Sequence, residues 1–382
     1  RLPSSSSVST MTDLPTIDQL SAELAAGRRS AVQLTEAALA RAQDPAGEGA
    51  RVFTRLDPAR ALAAARASDQ LRAAGIVRSP LEGIPVSIKD LFDVAGEVTT
   101  AGSAVLRGAA PAARNAPVVE RLIAAGAVIV GRTNMTEFAF SGLGLNPHYG
   151  TPANPWQRAE RRIPGGSSSG AAVSVSDGMA AVAIGSDTGG SVRIPSALCG
   201  LTGFKPTQRR VPTAGALPLS TSLDSIGPLG ASVRCCALTD AVLAGQSLLP
   251  LPARPLRDAR LALPDTLVFD DLEPAVAAAF ERACARLQAG GARLQRIAVP
   301  EFAELGRLHA RGTLAAAEAW AWHRQLLATR AAEYDPRVGL RLQGGAQMSA
   351  ADYLDLQAAR RRWIEQVEAR LAPFDALLLP TV

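Results

Sequence analysis

Lysine is almost absent from this 382-residue chain: among 40 basic residues, Lys89 and Lys205 are the two lysines and the rest are arginines. Arginine stays protonated in proteins, whereas a lysine amine can lose its proton when desolvated, so these two positions are the candidates for a lysine-type base. Histidine is nearly as scarce, with His148, His309 and His323, and a Ser–His–acid triad is therefore poorly supplied with bases. The four cysteines, Cys199, Cys235, Cys236 and Cys284, have no C-x-x-C spacing. They exclude a disulfide scaffold, suggest no zinc site, and read as buried thiols of a cytoplasmic protein. No apolar run approaches the roughly 18–20 residues that span a bilayer, which excludes a transmembrane role. Residues 1–10 lack the regions of a signal peptide and read as an extension upstream of Met11.

Hydrophobic residues at 47% and charged residues at 20% are the balance of a globular protein, so wholesale disorder, collagen and coiled-coil readings fall away. A net charge of +5 invites a nucleic-acid reading. The arginines are interspersed with Asp and Glu rather than gathered, however, so nucleic acid is not an expected partner. The length allows two domains, but no flexible linker is visible, and one domain over 11–382 is expected.

Thr16-x-x-Gln19 and Ser30-x-x-Gln33 have the form of capping boxes before apolar-periodic stretches, and a third helix is expected from Pro58 to Ala74. From Gly83 the texture changes. Short apolar runs at Ile84–Ile88, Ala127–Val130 and Val182–Ile184 read as buried strands, with Pro117–Ala125 helical between the first two. The stretch 132–230 is dense in Gly, Ser, Thr and Pro, too long for an ordinary connection and of the kind that carries function. Helices are expected at 232–245, 272–289, 311–330 and 350–371, strands at 259–263 and 293–299, and a buried strand with its exit turn at 374–382. Alternation of this sort predicts an α/β fold, an α/β/α sandwich with a large mixed, mostly parallel sheet covered by helices.

Three segments carry the chemistry. In Pro164-Gly-Gly-Ser-Ser-Ser-Gly170, glycines flank three hydroxyls before the apolar Ala171–Val175; this suits an anion nest, a phosphate cradle or a nucleophile turn, and alone it is also an ordinary Gly/Ser loop. Gly166-x-Ser168-x-Gly170 matches a nucleophile elbow, which leaves a serine esterase of α/β-hydrolase type using Ser168 as one alternative. Ile184-Gly-Ser-Asp-Thr-Gly-Gly-Ser-Val-Arg-Ile-Pro195 ends a strand in a double-glycine turn, where the N–H groups of Thr188, Gly189, Gly190 and Ser191 could converge as an oxyanion hole beside Ser191. Gly83-Ile-Pro-Val-Ser-Ile-Lys-Asp90 places Lys89 at the end of an apolar strand, where desolvation lowers an amine's pKa. Lys205, beside a proline turn, ranks second as a base.

With Leu198-Cys-Gly-Leu-Thr-Gly-Phe-Lys-Pro206 and Ser222-Leu-Asp-Ser-Ile-Gly-Pro228 added, these motifs resemble the amidase signature family of Ser–cis-Ser–Lys amidohydrolases, densest over 80–230. The resemblance implies that Ser191 is the acyl-forming nucleophile, Ser167 a bridging serine on a non-proline cis peptide, and Lys89 the base. It also implies an oxyanion hole at Thr188, Gly189, Gly190 and Ser191. Ser168, Asp187 and Arg193 become supports of the turn and the lysine, and Ala139, Phe140 and Ser141, with the turn at Leu219–Thr221, line the acyl side. No cofactor or metal is implied, the expected partner is a small-molecule amide, and a homodimer is compatible. The family also includes the A subunit of glutamyl-tRNA(Gln) amidotransferase, a glutaminase, as a second alternative. Ser169, where those subunits more often have glycine, and Pro218-Leu-Ser-Thr-Ser-Leu-Asp224 tilt away from it. Family members usually continue past the position of Val382, so further residues are expected there.

Overall fold

Side chains reaching back to their own backbone start the first helices. Thr16 and Gln19 close a capping box on helix Ile17–Ala25, and Ser30 and Gln33 do the same for Ala31–Gln43, each satisfying N–H groups that a helix start leaves without partners. These features belong to a computed structural model that describes residues 14–247 and 254–382; the extension at 1–10 lies outside the described residues. The chain forms two compact units. One comprises the described residues up to 247 with Trp322–Arg341, and the other the described residues of Leu249–Ala321 with Leu342–Val382.

The first unit is built on a six-stranded sheet of order β1-β3-β2-β4-β6-β5. Its strands are β1 Phe53–Leu56, β2 Pro85–Lys89, β3 Val128–Thr133, β4 Val182–Asp187, β5 Thr202–Gly203 and β6 Ser225–Gly230. The centre, β3-β2-β4, is parallel; β1, β6 and β5 join by antiparallel ladders. β2, β4 and β6 are buried at every position, and the parallel strands β2 and β4 accordingly begin in short apolar runs rather than alternating ones. Ala38, Leu39, Val128, Val130, Ala171, Val173 and Ala183 pack into one core cluster, placing helices Ala31–Gln43 and Ser169–Ser176 against the sheet.

The second unit has a parallel three-stranded sheet, β8-β7-β9, of Arg260–Pro264 (β7), Arg293–Ile297 (β8) and Ala376–Leu377 (β9). Helices Pro274–Ala289 and Ala350–Leu371 bear out the expectations there; Leu314–Arg330, whose residues from Trp322 onward belong to the first unit, begins three residues inside its expected range. The buried strand expected at 374–382 is corrected to two residues, Ala376 exposed and Leu377 half-buried. Three strands were not expected from the sequence: β1, β5 and β6, of which β5 has only two residues. β1 is only four residues long, and β6, Ser-Ile-Gly-Pro-Leu-Gly, looks like a turn.

Candidate active site

Parallel pairing of β2 and β4, with Ile88 opposite Ile184, brings Lys89 level with the Gly185–Asp187 end of its neighbour. Antiparallel pairing of β4 with β6 puts Asp187 opposite Ser225, so Asp224 arrives at the same edge. The carboxyl ends of parallel strands are where α/β folds gather their chemistry.

Lys89 is fully buried. Its Nζ donates to Ser167 Oγ at 2.6 Å, to Ser186 Oγ at 2.8 Å and to the Ser186 carbonyl at 3.4 Å. Burial pulls the amine down to about 7, while the nearby Asp187 and Asp224 carboxylates pull it back up. A nitrogen at that value is half deprotonated near neutrality. Lys205, the second candidate, instead donates to the Pro206 carbonyl at 2.6 Å.

Ser167 lies in the loop that enters helix Ser169–Ser176. Gly165 and Gly166 turn this loop with φ of 81° and 56°. A Cβ on Gly166 would lie 2.2 Å from Pro195 Cδ. The expected cis peptide at Ser167 is corrected: among the described residues no peptide bond is cis. The two left-handed glycines provide the reversal, a conformation that glycine adopts without a Cβ clash.

Asp187 organises the turn that carries Ser191. Its carboxylate accepts the N–H of Gly190 at 2.7 Å and of Val192 at 3.0 Å, and Arg193 closes an ion pair with it at 2.8 Å. Burial pushes this carboxyl up, but the Arg193 pair and the N–H donors outweigh it and hold it below its ordinary value. Gly190 is thereby removed from the expected oxyanion donors, since its N–H is committed to Asp187. The N–H groups of Thr188, Gly189 and Ser191 donate to no group among the described residues. The backbones of the two serine loops touch, with the Ser168 N–H donating to the Ser191 carbonyl at 3.3 Å. Ser167 Oγ and Ser191 Oγ share no hydrogen bond among the described residues; such contacts commonly tighten only when substrate is bound. Ser168 Oγ donates to the Ser186 carbonyl at 3.3 Å rather than to a histidine.

Two contributors were missed by the sequence reading. Ser186, unassigned within Gly185-Ser-Asp, gives the lysine two acceptors. Asp224, quoted only as part of a motif, accepts the N–H groups of Leu219 and Ser220 and the Thr188 hydroxyl, tying the expected acyl-side turn to the Ser191 loop. Burial holds its carboxyl above the ordinary range. A charged residue placed directly before a buried strand was the available signal. In the segment Phe138–Gly142, Phe138 and Ala139 are buried, and the Gly142 carbonyl accepts the Gly166 N–H at 2.8 Å.

The amidase family model matches residues 33–382. The chain is 42% identical over 331 residues to 2-amino-5-chloromuconic acid deaminase of Comamonas testosteroni, covering 85% of this chain and 71% of that protein. It is 37% identical over 386 residues to the A subunit of glutamyl-tRNA(Gln) amidotransferase from Chloroflexus aggregans, covering 93% and 78%. A crystal structure of an amidase superposes with a TM-score of 0.87 at 34% identity, covering 96% of this chain and 82% of that one. The chain belongs to the amidase family, and it is an enzyme that acts on carbon–nitrogen amide bonds.

Proposed function

We propose that the enzyme hydrolyses a carboxylic amide to the acid and ammonia through an acyl-serine, with Ser191 as nucleophile, Ser167 as proton bridge and Lys89 as terminal base. The observation that carries this reading is a fully buried amine, lowered to about 7, in contact with Ser167 Oγ at 2.6 Å. A neutral amine has two N–H donors and one lone pair. The Ser186 hydroxyl and carbonyl accept the two donors, which leaves the lone pair for the Ser167 proton.

As Ser191 Oγ bonds to the amide carbon, its proton moves to Ser167 Oγ and the Ser167 proton moves to Lys89 Nζ. The carbonyl oxygen becomes an oxyanion facing the N–H groups of Thr188, Gly189 and Ser191. Collapse breaks the C–N bond, and the relay runs backward to deliver one proton to the leaving nitrogen as ammonia. Water then repeats the attack on the acyl carbon, releasing the acid and restoring all three side chains. Asp187, with Arg193, holds the Ser191 turn, and Ser168 supports the Ser186 carbonyl. Ala139, Phe140 and Ser141 line the acyl side, a reading supported by the bond between Gly142 and Gly166. The four unpaired buried thiols support a reducing, cytoplasmic setting. Among the described residues no helix is long and apolar enough to cross a membrane.

A second reading, a glutaminase subunit passing ammonia to partner chains, rests on the 37% identity to the amidotransferase chain. Ammonia release separates the two. The purified chain is assayed alone, with Ser191→Ala as control, on aliphatic, aromatic, dicarboxylic and ureido amides and on glutamine. Serine-dependent release from one amide class is expected. Silence on every amide, reversed only by partner chains, would favour the second reading.

A further inference from the structure

A second buried carboxylate, outside the proposed relay, sits behind the acyl-side segment. Glu137 is fully buried. Its Oε1 accepts the Ser103 hydroxyl at 2.7 Å and meets His148 Nε2 at 2.8 Å, and its Oε2 accepts the Asp335 N–H at 2.7 Å. The next two residues, Phe138 and Ala139, have φ of 50° and 61°. Left-handed backbone at non-glycine residues is unfavourable and persists only where the surroundings enforce it. Here the surroundings are the Glu137 bonds on one side and, on the other, a ring nest in which Phe138 meets His323 at 4.3 Å, Tyr334 at 5.4 Å and Trp322 at 6.0 Å. His323 is fully buried, and burial lowers it to about 3, so the nest carries no imidazolium charge.

The strained pair is bracketed by two bonds to the Ser167 loop. The Thr136 N–H donates to the Ser167 carbonyl at 3.1 Å, and the Gly166 N–H donates to the Gly142 carbonyl at 2.8 Å. A change in the course of 137–141 therefore moves both anchors of the loop that carries Ser167.

We propose that Glu137 is a positioning residue for the amide reaction, holding segment 136–142 in its left-handed course, with Ser103 and His148, so that Ser167 and the acyl side keep their alignment. This inference rests on the proposed Ser191–Ser167–Lys89 relay. Displacements of about 1 Å from remote changes can cost on the order of 100-fold in rate, which sets the scale expected when the latch is lost.

The test compares Glu137→Ala, Glu137→Gln and His148→Asn with wild type. Active sites are counted by labelling with a fluorophosphonate, and kcat and KM are measured per labelled site on a small and a bulky amide. Glu137→Ala is expected to lower kcat about 10- to 100-fold per labelled site, with a different loss for the two amides. Glu137→Gln keeps one oxygen for the Asp335 N–H and turns its NH2 toward Ser103 Oγ and His148 Nε2, where the second carboxylate oxygen stood, and is expected to stay within about 5-fold; His148→Asn, at a partly exposed position, should fall between. A purely structural role would reduce the labelled fraction and leave kcat per site unchanged, and that result would overturn the proposal. An equal loss in the Gln and Ala variants would overturn it too. If Glu137→Ala fails to fold, wild-type kcat and selectivity in His148→Asn would overturn it in the same way. Turnover surviving in Lys89→Ala or Ser191→Ala would instead defeat the relay itself.

Discussion

Lys89 shows at single-residue scale how the site is made at the expense of stability. A desolvated amine lowered to about 7 suits proton acceptance, and it also penalises the folded state while the amine is charged. Lys89→Met removes the base and the penalty together. It is expected to abolish turnover by at least about 100-fold while raising unfolding free energy by about 1–4 kcal/mol, the range seen when buried charge gives way to apolar packing. Lys89→Arg should be equally inactive, because arginine keeps its proton. Steady-state kinetics and urea unfolding of both variants check this; an active arginine variant would remove lysine from the base role. In the wild type, kcat/KM should rise with pH through about 7 as Lys89 loses its proton. Scarcity of lysine made this residue legible in the sequence. The Ser186 acceptors were not, since a serine within Gly185-Ser-Asp carries no sign of what its hydroxyl meets across the sheet.

At the scale of elements, the site depends on close backbone approach. Gly170, in the first turn of helix Ser169–Ser176, packs where a Cβ would lie 2.4 Å from the Val52 carbonyl and 2.7 Å from that of Asn134. Neither neighbour is a flexible side chain. Gly170→Ala is therefore expected to cost about 1–3 kcal/mol, measurable as a lower urea midpoint, and to slow turnover by displacing the Ser167 loop; an unchanged midpoint would contradict this packing. The capping boxes, the central strands and most helices were readable because local spacing determines them. β6 was not. Its Gly227 has the Phe204 carbonyl 2.0 Å from where a Cβ would be, and short β5 pairs with it only at Leu229 and Gly230, which is how a strand containing proline and glycine fits here. The commitment of the Gly190 N–H to Asp187 depends on the path of a loop that no motif reports.

For the molecule as a whole, buried groups set opposing slopes of stability with pH. Lys89, lowered from 10.5 to about 7, binds a proton more readily in the unfolded chain, so between those values stability rises with pH by roughly 1.4 kcal/mol per unit. Cys199 and Cys236, pushed by burial from 9.0 to about 12, keep their protons in the folded state while unfolded thiols ionise, so each lowers stability from about pH 9 upward. Urea midpoints should climb from pH 7 to near 9 and then fall, and in the Cys199→Ala, Cys236→Ala double variant the climb should continue toward 10. A wild-type midpoint that falls steadily from pH 7 would contradict the buried neutral lysine. Beyond stability, the proposed reaction passes through a covalent acyl-serine at Ser191. The most direct measurement is peptide-resolved mass spectrometry of enzyme quenched in acid during turnover of an amide it accepts. The acyl mass is expected on the peptide containing Ser191 and is lost in Ser191→Ala; an acyl group on Ser168 instead, with Ser191 unmodified, would contradict the Ser191 mechanism.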